Sequence, residues 1–308
     1  MKALIHIGLP KAGSSSIQQF LKINREALLD RGIRYERLKP RFGSQFELAA
    51  TGVVEAGGTV TYEAARLVLG FRQDGDDRAF VQEFRAMLDR QRPGWTEPLY
   101  VGSSEHIQPW LHQPARIRAL DGFLGGYFAG IRYLLYLRPQ AELLLSSYAE
   151  RVRRGSTMSF EQHLGERWEM LNFDAVVSLW EGVLGAERLD VRLLRPDALA
   201  GGDLIADFCA AMGTNPGGLV TPPRMNAAPG AGELAFRRRL NSLLRVRRAD
   251  GNRNPWYQRA LRLRSALQRR PDPPLILSPD LRAQVEAQFA ASNESLRARR
   301  FPERPSLF

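Results

Sequence analysis

The sequence has 308 residues, a formal net charge of +11 at pH 7 and 44% hydrophobic residues. This length suits one large α/β domain, so we expect a single domain over residues 1–308, with a core at 1–213 and an extension at 214–308. The single cysteine, Cys209, excludes an internal disulfide, and with four scattered histidines it predicts no metal site. We expect Cys209 to be a buried core thiol.

No apolar run approaches the ~18 residues that a membrane span needs. The apolar run at the N-terminus covers only residues 3–7 and ends in a Gly-Pro-Lys loop, so it does not resemble a signal peptide. These two observations predict a soluble, cytoplasmic protein.

The first informative stretch covers residues 3–21 and predicts a buried strand, a tight loop and a helix. The apolar residues before Gly8 suit a strand with both faces covered. Gly8 and Gly13 allow backbone conformations that other residues avoid, and Ser14, Ser15 and Ser16 are expected to cap the helix. A helix N-terminus behind such a loop is an anion site, usually for phosphate.

The remaining elements are predicted in chain order from hydrophobic periodicity and turn residues. Strands are predicted at 31–35, 99–107, 130–137 and 188–194, and helices at 62–69, 77–90, 115–124, 142–152, 160–168, 173–184, 204–212, 236–244 and from 278 onwards. Strands alternate with helices up to about residue 213. This alternation predicts an α/β fold with a central parallel sheet and helices on both faces, followed by an irregular, basic C-terminal region.

The order of residues in the first loop differs from that of triphosphate-binding loops. A Walker loop reads G-x-x-x-x-G-K-[ST], with Lys directly after the second Gly. Here Gly8 and Gly13 keep the spacing, but Ser14 follows the second glycine and Lys11 lies two residues before it. This order resembles the 5′-phosphosulfate loop of sulfotransferases that use 3′-phosphoadenosine 5′-phosphosulfate (PAPS), which usually have Thr-Thr where this chain has Ser14-Ser15.

A second stretch of the sequence pairs an arginine with a serine. Arg138 ends a predicted strand, and Ser146 follows eight residues later, about two turns into the next helix. A phosphate dianion is well held by a fixed guanidinium and a nearby hydroxyl. In the sulfotransferase family an Arg and a Ser at this spacing hold the 3′-phosphate of PAPS. The alternative is an arginine at the surface and a serine on an ordinary helix face.

The resemblance implies a three-layer P-loop-type fold and transfer of a sulfuryl group from PAPS to a hydroxyl of a carbohydrate or glycan-like acceptor, without a metal ion. It also implies that Lys11 stabilises charge on the leaving phosphate. The donor-binding residues that it implies are Pro10, Lys11, Ala12, Gly13, Ser14, Ser15, Ser16, Arg138 and Ser146.

The acceptor hydroxyl needs a general base, and two candidates follow the strand predicted at 99–107. Glu105 and His106 both have a suitable side chain, and alternation along the strand is expected to place them on opposite faces. Glu105 is favoured because the run Ser103-Ser104-Glu105 resembles bacterial polysaccharide-type members of the family. The favoured alternative for His106 is a half-buried imidazole packed near Trp110.

The C-terminal resemblance is looser. The segments 224–226, 233–241 and 289–293 resemble runs in bacterial sulfotransferase-like proteins. In better-studied members a late basic loop also touches the 3′-phosphate, and Arg297, Arg299 or Arg300 are the candidates for that contact here.

The positive charge is concentrated in residues 235–270, which carry twelve arginines and one acid, a net charge of +11. A solvated basic surface is the favoured interpretation. An acidic glycan acceptor comes second, and an anionic membrane surface third. Nucleic acid is not expected as a partner, because no DNA- or RNA-binding module is recognisable.

Two other classes of function stay open. A P-loop kinase or NTPase would also use the first loop, although the missing Gly-Lys-Ser order and the missing Asp-rich Mg²⁺ site speak against it. A non-catalytic protein on the same fold could bind an anion or a membrane surface.

Overall fold

The structure is a computed structural model that describes residues 1–166, 171–223, 230–248, 251–268 and 270–308. It divides into two compact units. The first comprises Met1–Arg138, Phe173–Met225 and Ser292–Phe308, and the second comprises Pro139–Asn172 and Asn226–Ala291. The single domain expected from the sequence stays a prediction.

A five-stranded sheet forms the centre of the first unit, in the order β2-β3-β1-β4-β5. All neighbouring strands are parallel, which confirms the predicted parallel sheet. The strands are Lys2–His6 (β1), Ile33–Arg34 (β2), Leu99–Ser103 (β3), Ile131–Leu137 (β4) and Leu189–Leu193 (β5).

The helices of the first unit surround this sheet. They are Ser14–Ile23 (α1), Arg25–Leu29 (α2), Phe46–Val54 (α3), Glu63–Leu69 (α4), Asp76–Gln91 (α5), Ile107–Trp110 (α6), Pro114–Gly125 (α7), Phe173–Leu184 (α10) and Leu204–Ala211 (α11). The helices of the second unit are Gln140–Arg153 (α8), Phe160–Gly165 (α9), Ala231–Leu243 (α12) and Pro255–Leu267 (α13). The last helix, Pro279–Arg300 (α14), begins in the second unit and ends in the first.

Two adjacent residues of β1 show that helices cover both faces of the sheet. Successive side chains of a strand point to opposite faces. The ring of His6 lies 6.2 Å from that of Phe208 on α11. Ile5 and Leu48 of α3 both lie against Gly102, on the other face. This three-layer arrangement is the predicted fold class.

The register of the central strands brings three loops to one edge of the sheet. His6, the last residue of β1, is paired with Ser103, the last residue of β3, and with Leu134 of β4. In open α/β sheets ligands bind at this carboxyl edge, where the strand order reverses. The loops after β1, β3 and β4 are therefore the place for a site.

The structure contains helices that the sequence did not predict. The helix α3 lies between the first helix and the helix predicted at 62–69, and α13 lies in the basic C-terminal region, where only α12 and α14 were expected. The helix predicted at 160–168 ends at Gly165 as α9, and its predicted C-terminal end at Trp168 lies outside the described residues.

The second unit has a small apolar core and a group of hydrogen bonds centred on Asn241. Tyr148, Ala149 and Val152 on α8 pack against Leu234 on α12, with Phe160 and Leu275 beside them. The Asn241 amide on α12 donates to the carbonyls of Val152 and Ser156, both at 2.8 Å. The hydroxyl of Tyr257 on α13 donates to the Asn241 oxygen at 2.7 Å.

Candidate functional site

The loop after β1 has an unusual backbone. Gly8, Lys11 and Gly13 have φ values of 38°, 68° and 87°, and Lys11 is the one non-glycine residue in the described ranges with a positive φ. Gly13 is the N-cap of α1, and no serine side chain caps the helix. The expected serine cap was therefore wrong, because the left-handed backbone at the cap position favours glycine and places Ser14, Ser15 and Ser16 in the first turn.

The first turn of α1 presents hydrogen-bond donors. The amides of Ser16 and Ile17 donate to the Gly13 carbonyl, whereas the amides of Gly13, Ser14 and Ser15 meet no acceptor among the residues that the structure describes. The Ser14 side chain is 2% exposed, and its hydroxyl has no partner there. Buried polar groups without partners are rare, so this cluster of donors is suited to hold an anion.

Arg138 lies beside this loop, directly after the end of β4. Its Nη1 donates to the main-chain carbonyl of Lys11 at 3.1 Å. The side chains of Lys11 and Arg138 are both half-buried. Two basic residues predicted from separate parts of the sequence therefore meet at one end of the helix.

The other side of the loop touches the turn after β3. A Cβ atom on Gly8 would lie 2.7 Å from the Glu105 Cα and 2.8 Å from the Ser104 carbonyl oxygen. Only a residue without a side chain allows this approach. The backbone of the candidate base is therefore packed against the candidate anion loop.

Glu105 and His106 do not point to opposite faces of a strand. The strand β3 ends at Ser103, and both residues lie in the turn that follows it. The Glu105 Oε1 and the His106 Nε2 are 3.9 Å apart. The expectation from strand alternation was wrong because the strand is shorter than predicted.

His106 belongs to a row of aromatic side chains. Its ring is stacked on Phe46 with 4.3 Å between centroids and lies 5.2 Å from Trp110, as the favoured alternative for this histidine predicted. Trp110 is in turn stacked with Tyr62 at 4.9 Å. The stacking fixes the orientation of the His106 imidazole beside Glu105.

A buried polar network, which no sequence pattern indicated, supports the turn after β3. Gln45 accepts from the Ser103 amide at 2.6 Å and donates to the Glu36 carbonyl at 2.9 Å. The hydroxyls of Ser44 and Ser104 are 3.0 Å apart and buried. These contacts join the start of α3 to the turn that carries Glu105, across about 60 residues of sequence.

His6 lies beneath the loop, at the end of β1. Its Nδ1 is 2.9 Å from the Ser103 hydroxyl, and the Nε2 is buried without a partner among the described residues. Burial lowers the pKa of His6 to about 3. The imidazole is therefore neutral at physiological pH and adds no charge to the site.

Ser146 is on α8, in the second unit, and is half-buried. Arg138 is the last residue of the preceding segment of the first unit. The prediction that this serine and Arg138 bind one phosphate together stays a prediction.

The C-terminal arginines are engaged with protein partners. Arg297 pairs with Glu294, and Arg299 pairs with Asp174 at 2.6 Å and with Glu181. Arg300 contacts Glu181 at 3.3 Å. The contacts of Arg299 and Arg300 fasten the end of α14 to α10. The suggestion that one of the three arginines binds the donor stays a prediction. The run at 224–226, also matched to the family, lies outside the described residues.

Two further expectations concern Cys209 and metals. Cys209 is buried, as predicted, and burial raises the pKa of its thiol to about 11. Within the described ranges no group of three or more His, Cys, Asp or Glu side chains could hold a metal ion. No helix in those ranges has both the length and the apolar character that crossing a membrane demands.

Comparison with known proteins identifies one solved structure of similar fold. It is the crystal structure of a sulfotransferase from Alicyclobacillus acidocaldarius, with 17% sequence identity and a TM-score of 0.50, over 96% of this chain and 94% of that chain. No protein-family model and no curated protein matches the sequence. At this identity the likeness concerns architecture, and it confirms a sulfotransferase-like α/β fold.

Proposed function

We propose that the protein is a sulfotransferase that moves a sulfuryl group from PAPS to a hydroxyl, with a carbohydrate or glycan-like acceptor. The observation that carries the proposal is the donor cluster at the start of α1, where unpartnered amides and the buried Ser14 hydroxyl lie beside Lys11 and Arg138. The sulfotransferase-like fold supports the same conclusion.

The loop would bind the 5′ end of the donor. Pro10 and Ala12 would shape the turn, and the amides of Gly13, Ser14 and Ser15 would face the phosphate that leaves when the sulfuryl group is transferred. Negative charge grows on that phosphate as the bond to sulfur breaks. Lys11 and the helix N-terminus would stabilise this charge. Stabilisation of the charge that develops in the transition state is usually the largest contribution to catalysis.

Arg138 and Ser146 would bind the 3′-phosphate. A guanidinium offers paired donors to a phosphate, and a serine hydroxyl can add another hydrogen bond. A donor with two phosphate groups requires two anion sites, and the first loop supplies only one. Arg138, which follows β4, the strand adjacent to β1, would supply the second site.

Glu105 would accept the proton of the attacking hydroxyl. Its carboxylate can act as a base, and its backbone touches Gly8 of the donor loop. His106 is the second candidate, although its ring is held between Phe46 and Trp110. A base on the side of the sulfuryl group opposite to the leaving phosphate would serve an in-line transfer.

Isothermal calorimetry with 3′-phosphoadenosine 5′-phosphate (PAP) tests the proposal. We expect binding by the intact chain and a loss of at least about tenfold in affinity in Arg138→Ala. Arg118→Ala is the matched control, because Arg118 is an exposed arginine on α7, away from the loop. Absence of PAP binding, or equal affinity in Arg138→Ala, would contradict the proposal, and Mg²⁺-dependent ATP turnover would favour a P-loop kinase or NTPase instead.

A further inference from the structure

The helix α13 in the second unit exposes a stripe of large apolar side chains. Trp256, Leu263 and Leu267 are 65%, 61% and 70% exposed. Their spacing of seven and eleven residues from Trp256 places them on one face of an α-helix. Isolated exposed leucines are ordinary, but an aligned stripe that includes a tryptophan indicates a surface used for binding.

The apolar stripe continues into a groove between α12 and α13. The groove has a volume of about 430 Å³ and is lined by Phe236, Ala260, Leu263, Arg264, Leu267 and Gln268. Leu243, another exposed leucine, lies seven residues after Phe236 and therefore on the same side of α12. We call this surface, formed by Phe236, Leu243, Trp256, Leu263 and Leu267, the α12–α13 face.

The surroundings of the α12–α13 face are strongly basic. Glu233 and Asp272, the acids in the described part of this region, are engaged by Arg237 at 2.6 Å and by Arg264 at 2.5 Å. The remaining positive charge stays at the surface, on the exposed residues Arg238, Arg239, Arg245, Arg247, Arg248, Arg253, Arg259, Arg262 and Arg270.

We propose that the α12–α13 face binds the surface of an anionic lipid membrane. A helix that lies in a membrane interface combines an apolar stripe, which enters the acyl boundary, with arginines that contact anionic headgroups. Arg259 lies three residues after Trp256, beside the stripe, and its guanidinium is 5.6 Å from the Trp256 ring. Tryptophan and arginine are the residues that membrane interfaces favour.

The apolar residues distinguish a membrane from a dissolved acidic glycan. A sulfated or uronate-containing chain would account for the arginines, because it offers many anionic groups. It offers no apolar phase for Leu263, Leu267 and the adjoining groove. A membrane accounts for both features, and charge complementarity with anionic headgroups explains the scarcity of acids around the face.

Sedimentation with lipid vesicles tests this inference on the full chain. Vesicles of phosphatidylcholine with phosphatidylglycerol should bind the protein, and vesicles of phosphatidylcholine alone should bind it at least about tenfold less. Leu263→Ser/Leu267→Ser should lower binding to the anionic vesicles by about tenfold or more. Arg259→Gln/Arg262→Gln should have a similar effect, which added salt should reproduce.

Leu67→Ser is the matched control, since Leu67 is 82% exposed on α4 in the first unit. It should bind vesicles as the unaltered chain does. The altered residues are exposed, so the variants should fold, and circular dichroism checks this. Equal binding to neutral and anionic vesicles would overturn the inference, as would unchanged binding in the double leucine variant. Binding to heparin without binding to vesicles would identify an acidic glycan instead.

Discussion

The guanidinium of Arg138 donates a hydrogen bond of 3.1 Å to the main-chain carbonyl of Lys11, across 127 residues of sequence. This contact joins the end of β4 to the loop after β1. It fixes the position of the arginine relative to the lysine. Under the proposed function, the two basic residues would act as one preorganised unit, which would lower the entropic cost of binding a doubly phosphorylated donor.

Arg138→Lys is expected to weaken PAP binding by about tenfold. The ammonium keeps the positive charge but is a single point charge, so it cannot both bond the Lys11 carbonyl and present a paired donor to a phosphate. Calorimetry measures the loss, with Arg118→Lys as the control. Equal affinity in Arg138→Lys would show that only the charge matters at this position.

Gly8→Ala is expected to lower the free energy of unfolding by several kcal/mol. The new methyl group would lie 2.7 Å from the Glu105 Cα, in a backbone with φ 38°. Gly57→Ala is the control, because Gly57 also has a positive φ but has open space around its Cβ position. It should cost only about 1 kcal/mol. Urea denaturation compares them, and equal costs would contradict the close approach at Gly8.

Glu105→Gln is expected to reduce sulfuryl transfer by about 10²- to 10⁴-fold, because the amide cannot accept the acceptor proton. PAP affinity should stay within about twofold, since the donor loop is unchanged. Transfer from radiolabelled PAPS to a panel of polysaccharides measures the rate, and calorimetry measures the affinity.

His106→Asn is the companion variant to Glu105→Gln. It should retain most of the activity, although the asparagine loses the stacking on Phe46. The reverse pattern, with a large loss in His106→Asn and a small one in Glu105→Gln, would assign the base to His106.

Glu47 makes stability depend on pH. Burial raises its pKa from about 4.5 to about 7, even though it accepts a hydrogen bond from the Leu38 amide at 2.9 Å. The folded protein keeps a proton that the unfolded chain releases between these pH values. Stability should therefore fall as pH rises from about 4.5 to about 7 and stay lower above it.

Glu47→Gln should remove this pH dependence, with a gain on the order of 3 kcal/mol above pH 7. Thermal unfolding across this pH range is the measurement. Glu26→Gln, an exposed glutamate on α2, is the control and should leave the profile unchanged. A Glu47→Gln profile parallel to that of the unaltered chain would assign the pH dependence to other groups.

The strands could be predicted from the sequence because their apolar runs are short and bounded by turn residues. The strand β4, Ile131–Leu137, differs by one residue from its predicted start at Gly130. A strand that is buried on both faces has a continuous apolar run, and such a run is easily recognised in the local sequence. The ends of strands are harder to predict from the sequence. Because β3 ends at Ser103, Glu105 and His106 lie together in the following turn and not on opposite faces of the strand.

The helices α3 and α13 were missed for opposite reasons. The helix α3, Phe46–Val54, is buried along nearly its whole length, so its sequence shows no polar face and no period of 3.6 residues. The helix α13 exposes an apolar stripe beside its exposed arginines, so its sequence does not show one apolar face turned towards a core. The burial of α3 by its tertiary surroundings explains its missing pattern. A binding surface on α13 would explain the exposed apolar residues there.

The candidate site was predictable where one motif carries it. Lys11 and Gly13 belong to a continuous loop, and their order in the sequence is informative. The supporting contacts of Gln45 and Ser44 with the turn after β3 join distant segments, and neither residue type signals such a role. A contact across some 60 residues depends on the completed sheet, which local patterns do not specify.

The positive φ of Lys11 sets stability against activity at this position, because glycine would relieve the backbone strain but would remove the ammonium. A non-glycine residue in this conformation costs about 1 kcal/mol, and glycine would remove the cost. A chain under pressure only to remain folded would gain from glycine at position 11. Under the proposed function, the contribution of the Lys11 ammonium to donor binding would offset this strain. Screens that select for thermostability without testing activity are therefore expected to recover Lys11→Gly. This variant should be more stable and should lack the proposed sulfuryl-transfer activity.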